Sequence, residues 1–231
     1  MDFSGWEKLS LVDFDDNVTT TLFMAGCNMR CPFCHNSELV LHPNEAPRIP
    51  WDEIVAYLMK RKGVLDAVCI TGGEPTLMPD LADKIRQIKE LGYLVKLDSN
   101  GSHPQTLKKL YEQHLVDYFA MDIKNSKEKY GLTCGVPNID LAPYEESVDF
   151  LLHSGCYYEF RTTAIDEFHS EEDFHKIAEW ISGAKKYFIQ RYNDNGSCIT
   201  HGLHPVSKAK AAKVIEDIRG NFGMIGIRGY D

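Results

Sequence analysis

Apolar and polar positions alternate along this chain in two periods. Short runs rich in β-branched and aromatic residues, at 18–25, 67–70, 93–97, 116–121, 157–163 and 187–190, predict strands. Amphipathic stretches between them, at 51–61, 79–91, 104–113, 143–152, 171–181 and 207–218, predict helices. Local signals agree: Pro50 precedes the first helix, Gly92 stops the second, and Ser207 offers a cap to the last. A final strand is predicted at 224–228.

Six strand–helix units in succession imply an α/β fold with a parallel sheet and right-handed crossovers. Such a sheet forms either an open doubly wound array or a partial barrel, a shortened (β/α)8. In both, chemistry collects at the carboxyl ends of the strands. No repeat, low-complexity tract or long linker interrupts the chain. A single domain is therefore expected over 1–231, with its core at about 17–190 and a closing helix and strand at 205–231.

Composition narrows the function classes. Hydrophobic residues at 43% and charged residues at 26% fit a folded globular chain and exclude disorder. Lys and Arg number 25 against 34 Asp and Glu, a net charge of −9 without a basic stripe, which argues against nucleic acid as a partner. No apolar run reaches the length of a membrane span, and residues 1–7 lack the basic flank and apolar core of a signal peptide. The expectation is a cytoplasmic protein with no membrane partner.

The cysteines point to a metal. Seven is an odd number, and a chain of this size does not depend on a disulfide framework. Three of them, Cys27, Cys31 and Cys34, fall within eight residues as C-x3-C-x2-C at the end of the first predicted strand. Zinc is one reading, with His35 as fourth ligand, although a ligand adjacent to Cys34 would be cramped. A cubane iron–sulfur cluster is the other, because three thiolates leave one of four irons open to a chelating substrate. Cys69, Cys134, Cys156 and Cys198 are single and lack C-x2-C partners. Cys69 and Cys156 read as small buried hydrophobes, and a second cluster is not supported.

The run Cys27-Asn28-Met29-Arg30-Cys31-Pro32-Phe33-Cys34-His35-Asn36, with an aromatic residue before the third cysteine, resembles the signature of the radical S-adenosylmethionine superfamily. The resemblance implies a partial (β/α)6 barrel of the radical SAM type. It implies a 4Fe–4S cluster on Cys27, Cys31 and Cys34 whose open iron binds the amino and carboxylate groups of S-adenosylmethionine. An electron passes into the sulfonium, and cleavage gives a 5′-deoxyadenosyl radical. Flavodoxin or ferredoxin is the electron donor that such a low-potential cluster calls for. Phe33 and His35 fall in the same cofactor-binding stretch.

Further motifs stand at successive strand ends. Gly72-Gly73-Glu74 is similar to the superfamily's G-G-E element; its glycines let a backbone approach a ligand, and its carboxylate suits a cationic amino group. Asp98-Ser99-Asn100-Gly101 and Asp122-Ile123-Lys124 resemble the D-[ST]-N-G and D-x-K runs of glycyl-radical activating enzymes. Alternate residues of a strand share a face, so Asp122 and Lys124 can address one ligand, the lysine pairing the methionine carboxylate. In pyruvate formate-lyase activating enzymes the corresponding residues, here Asp98, Ser99, Met121 and Asp122, also hold a monovalent cation. Arg161 stands mid-strand, where a buried guanidinium needs a carboxylate. His175 is the expected histidine near the cofactor carboxylate, with His169 its competitor. The C-terminal Ile227-Arg228-Gly229-Tyr230 is superficially similar to a glycyl-radical loop but reads as a strand end.

Over nearly the whole chain the resemblance is strongest to the activating proteins of anaerobic ribonucleoside-triphosphate reductase. It includes Ser10-Leu11-Val12-Asp13, the cysteine run, Thr71–Thr76, Arg161-Thr162-Thr163, Phe188-Ile189-Gln190 and Leu203-His204-Pro205. It implies hydrogen abstraction from a glycine of a glycyl radical enzyme docked at the open side of a six-unit barrel. The alternatives are activation of pyruvate formate-lyase or another glycyl radical enzyme, a radical enzyme acting on a small molecule, and a zinc-binding adaptor. The small-molecule synthases usually carry a Gly-Glu-Gly run before the cysteines, which is absent here.

Overall fold

The computed structural model describes residues 3–230. Met1, Asp2 and Asp231, which belong to the single-domain range and the N-terminal reading above, lie outside the described residues. The strands are β1 (Phe3–Ser10), β2 (Thr19–Met24), β3 (Ala67–Gly72), β4 (Leu94–Ser99), β5 (Tyr118–Asp122), β6 (Tyr158–Ala164), β7 (Lys186–Arg191) and β8 (Met224–Arg228). The helices are α1 (Ser37–Leu41), α2 (Trp51–Lys60), α3 (Leu81–Glu90), α4 (Pro104–Glu112), α5 (Tyr130–Thr133), α6 (Ala142–His153), α7 (Glu171–Trp180) and α8 (Lys208–Ile218). The strands follow chain order in one eight-stranded sheet, and among the described residues that sheet is open.

Two compact units divide the chain. The first runs up to Asn28 and resumes at Glu38–Ala120; the second comprises Met29–Ser37 and the chain from Met121 onward. In the first, β2, β3 and β4 are parallel, with Thr21 opposite Cys69 and Cys69 opposite Lys96. Strand β1 adds antiparallel to β2 and places Trp6 opposite Leu22. In the second, β6, β7 and β8 are parallel, with Arg161 opposite Phe188 and Phe188 opposite Gly226. All six predicted strand–helix units form.

The helices form for local reasons that also seat them on the sheet. Pro50 precedes α2, where its missing N–H costs nothing, and the helix buries Ile54 and Leu58 four residues apart. Ser170 and Asp173 close a capping box on α7, which buries Phe174, Ile177 and Ala178. The Ser207 side chain accepts from the Lys210 N–H at the start of α8. Among the described residues, no helix is long and apolar enough to cross a membrane.

Candidate active site

In the first unit three successive βα loops converge at strand ends. After β2 the chain turns through Gly26 into Cys27 and Asn28. The loop after β3 lies flat against it: the Gly73 N–H donates to the Met24 carbonyl and the Glu74 N–H to the Gly26 carbonyl, each at 2.8 Å. There is no room for side chains in that approach. A Cβ on Gly73 would stand 1.9 Å from the Gly26 oxygen. The paired glycines thus bring two backbones together, a use beyond the ligand approach that the motif alone suggests.

The Glu74 carboxylate is turned inward. It is fully buried. Its Oε1 accepts from the Thr76 N–H at 3.1 Å, the Thr76 hydroxyl at 2.5 Å and the Ser99 hydroxyl at 2.9 Å, while Oε2 accepts from the Asn100 N–H at 2.6 Å. Burial raises its pKa and outweighs these donors, which favour the charged form. As folded, Glu74 staples the β3 loop to the β4 loop, where the sequence suggests a free carboxylate for an amino group. Asn100 extends the staple: its Nδ2 lies 2.8 Å from Asn28 Oδ1 and 3.9 Å from Cys27 Sγ. Ser99, Asn100 and Glu74 therefore fix the loop that carries the first cysteine.

In the second unit Asp122 at the end of β5, Lys124 just beyond it and Arg161 of β6 form a charged group. Lys124 Nζ lies 3.0 Å from Asp122 Oδ2, and Arg161 Nε lies 3.0 Å from Asp122 Oδ1. Burial penalises the Asp122 carboxylate, but Arg161 and Lys124 outweigh it and hold its pKa at about 2. Burial alone would lower the Lys124 ammonium's pKa, yet Asp122 and Cys31 raise it. The mid-strand guanidinium has the carboxylate that its position required. Met121 is buried just before this group.

Cys31 and Cys34 belong to the same unit. Cys31 is buried, Cys34 is partly exposed, and neither they nor Cys27 are joined in a disulfide. Burial pushes the Cys34 thiol up, while the Asn36 backbone, Lys124 and Arg30 pull it down. Two segments of the second unit brace this stretch. The Arg30 N–H donates to the Cys134 carbonyl at 2.9 Å, and a Cβ on Gly135 (φ +70°) would stand 2.2 Å from the Arg30 oxygen. From the other segment, the Thr200 N–H donates to the Pro32 carbonyl at 2.7 Å, and Cys198 Sγ lies 3.8 Å from the Phe33 carbonyl. Phe33 is buried, with its ring 6.3 Å from that of Phe168. His35 stacks at a tilt on Tyr192 and bonds through Nε2 to the Asn193 carbonyl.

The two histidines separate. His175 is 45% exposed on α7, with Asp217 Oδ2 3.9 Å away, and the fold does not bring it to the charged group. The cause is helical register: Phe174 and Ile177 take the buried face and turn His175 outward. His169 is buried, its Nε2 2.9 Å from the Lys124 carbonyl and its Nδ1 3.1 Å from the Ile165 carbonyl. Burial lowers its pKa. Two further residues, Asn28 and Gly135, escape sequence reasoning. Asn28 sits inside the cysteine run, so its neighbour Cys27 is the available signal; nothing local marks Gly135.

The sequence profile of the Radical SAM superfamily matches residues 21–181. The chain belongs to the radical SAM superfamily. A protein of Methanocaldococcus jannaschii assigned as a glycyl-radical enzyme activating enzyme is 33% identical over 196 residues, covering 82% of this chain and 79% of that protein. The pyruvate formate-lyase-activating enzyme of Staphylococcus aureus is 30% identical over 205 residues, covering 82% and 80%. Among solved structures, Streptococcus suis SuiB bound to S-adenosylmethionine superposes with a TM-score of 0.68 at 16% identity, over 90% of this chain. This chain spans about half the length of SuiB, 52% of it.

This radical SAM protein is thus an oxidoreductase of the glycyl-radical activating family, and its cofactors are a 4Fe–4S cluster and S-adenosylmethionine. The donor set fits them. Three cysteines outside any disulfide fall within eight residues of sequence; an amide N–H approaches Cys27, and an ammonium acts on Cys31 and Cys34. When bound, the pair supplies a one-electron reductive cleavage that yields a hydrogen-abstracting species.

Proposed function

We propose that Cys27, Cys31 and Cys34 ligate the cluster and that the chain activates a glycyl radical enzyme by removing one hydrogen from a glycine α carbon. The observation that carries this reading is the 33% identity to a glycyl-radical activating enzyme over 82% of the chain, with the cysteine run and the Asp98–Gly101 and Asp122–Lys124 motifs in register with strand ends. Glycine suits the reaction because it has no side chain to block approach, and its radical is delocalised over flanking amides. Lys124 is assigned to the methionine carboxylate of S-adenosylmethionine, and Asp122 and Arg161 hold the lysine's end of the site. Phe33, His35, Gly72, Gly73, Asp98, Ser99 and Asn100 complete the cofactor surroundings. Glu74 acts there through the backbone it fixes.

The partner proposed is anaerobic ribonucleoside-triphosphate reductase, on the resemblance that runs from the cysteine stretch to Leu203-His204-Pro205. The similarity to the Staphylococcus aureus pyruvate formate-lyase-activating enzyme supports a second reading, in which pyruvate formate-lyase is activated. Flavodoxin or ferredoxin supplies the electron. The test is to incubate the reconstituted protein with S-adenosylmethionine, reductant and each candidate partner, then record electron paramagnetic resonance spectra. A glycyl signal on the reductase alone is expected. A signal on the lyase alone selects the second reading, and cofactor cleavage with no signal on any glycyl radical enzyme rejects the proposal.

A further inference from the structure

Strand β4 carries an unusual side chain for its place in the sheet. Lys96 is only 4% exposed, between Val95 and Leu97, which are wholly buried. Alternation puts Lys96 and Asp98 on one face of the strand. The ammonium stands 3.7 Å from Asp98 Oδ1, donates to the Asp13 carbonyl at 2.5 Å, and lies 6.0 Å from the centre of the Tyr118 ring. The Asp13 carboxylate is itself anchored, accepting from the Thr21 hydroxyl at 2.5 Å. A lone ammonium in this position would be strongly penalised by its burial, so the carboxylate and the carbonyl are what allow it to stay.

The anion that Lys96 faces heads a working loop. Asp98 is followed by Ser99 and Asn100, which hold the Glu74 carboxylate, Asn28 and Cys27. The resemblance implies a monovalent cation on Asp98, Ser99, Met121 and Asp122, and the charges already placed beside the two aspartates speak against a metal ion in that role. Asp98 Oδ1 already faces an ammonium, and the two Asp122 oxygens each lie 3.0 Å from a lysine or arginine nitrogen. A metal ion on Asp98 would share that carboxylate with the Lys96 ammonium, and two like charges on one carboxylate repel.

We propose that Lys96 is a positioning residue whose ammonium serves as the built-in counter-cation of Asp98, so that this enzyme needs no monovalent metal ion. The charge belongs to the strand and is delivered with the fold. The Asp98–Gly101 loop, and through it Cys27, is then held in place whatever salt is present.

The test uses the cluster-loaded enzyme with S-adenosylmethionine, and thallium(I) as the monovalent probe followed by its own magnetic resonance. The parent should show no saturable thallium binding, and its affinity for S-adenosylmethionine should be equal in potassium, sodium and tetramethylammonium chloride. Lys96→Met should bind S-adenosylmethionine about tenfold more weakly in tetramethylammonium. Potassium or thallium should restore that affinity, and a further Asp98→Asn change should cancel the rescue. Saturable thallium binding to the parent that Asp98→Asn removes would overturn the proposal. So would a Lys96→Met enzyme whose affinity matches the parent in all three salts. Should Lys96→Met not fold, the parent titration alone still decides.

Discussion

Arg161 Nε and Asp122 Oδ1 meet at 3.0 Å, tying the middle of β6 to the last residue of β5. The guanidinium side chain is 12% exposed and the carboxylate 31%, so the pair is shielded but not dry. Removing the arginine takes away one of the two cations that hold the carboxylate charged. Arg161→Ala is expected to destabilise the protein by about 2 kcal/mol, below the cost of breaking a fully buried pair. Arg161→Lys should recover only part of this, because an ammonium does not reproduce the planar fork. Anaerobic denaturant unfolding of the three proteins measures both.

A change at Lys124 is expected to separate cofactor binding from cluster assembly. It is not among the proposed iron ligands, yet its ammonium is clamped by Asp122 at 3.0 Å and acts on Cys31. Lys124→Ala should keep about four irons per chain and the brown colour, while binding S-adenosylmethionine about tenfold more weakly, a loss of about 1.4 kcal/mol. Cys31→Ala should lose colour and cofactor cleavage together. Equal cofactor affinity in Lys124→Ala and the parent would remove the lysine from the site.

Acid should weaken the second unit through Asp173. Desolvation opposes the Asp173 charge, but Lys129 at 2.6 Å and the Ser170 donors outweigh it and hold its pKa at about 2. The folded value is below the unfolded one of about 3.9, so the unfolded chain binds more protons in between. The contribution, on the order of 2 kcal/mol, is complete above about pH 5 and is lost as pH falls toward 2. Stability of cluster-free Asp173→Asn should therefore fall less steeply than the parent's between pH 5 and pH 3. Parallel slopes would show that Asp173 is not the group concerned.

Asn100 is expected to tune the cluster. Its amide lies 3.9 Å from Cys27 Sγ, and hydrogen bonds to cluster sulfurs raise reduction potentials. Asn100→Leu should lower the cluster midpoint by about 40 mV, the one-electron equivalent of about 1 kcal/mol. A redox titration followed by electron paramagnetic resonance reads the shift. An unchanged midpoint would mean that this amide does not tune the cluster.

The strand ends are legible in the sequence because strand and helix periods alternate cleanly, and every motif that marks chemistry sits where a strand stops. Arg161 is legible for a similar reason, as the one cation of the predicted strand at 157–163. Strand β1 is not. It is an edge strand with Glu7, Lys8 and Leu9 exposed in succession, so it shows no alternation to detect. Helices α1 and α5, of five and four residues, are too short to display a period. The inward turn of Glu74 depends on donors from Ser99 and Asn100, some 25 residues away in sequence, and nothing near Glu74 announces them. Lys96 carries a visible signal, an i,i+2 pairing with Asp98 on a strand, that is easily passed over because lysine reads as surface.

Gly73 and Gly135 have a consequence for how this chain can change over generations. A Cβ at either would lie within 2.2 Å of a neighbouring carbonyl oxygen, so alanine, the smallest replacement, already collides with backbone. Gly92 differs: a Cβ there would meet open space, so a substitution is opposed by its φ of +93° alone and not by a collision. A saturation library selected for cluster-loaded protein should therefore tolerate replacements at Gly92 more often than at Gly73 or Gly135, where nothing but glycine should survive. Those two codons are frozen by the shape of the cysteine loop's supports, and drift in the family must pass around them.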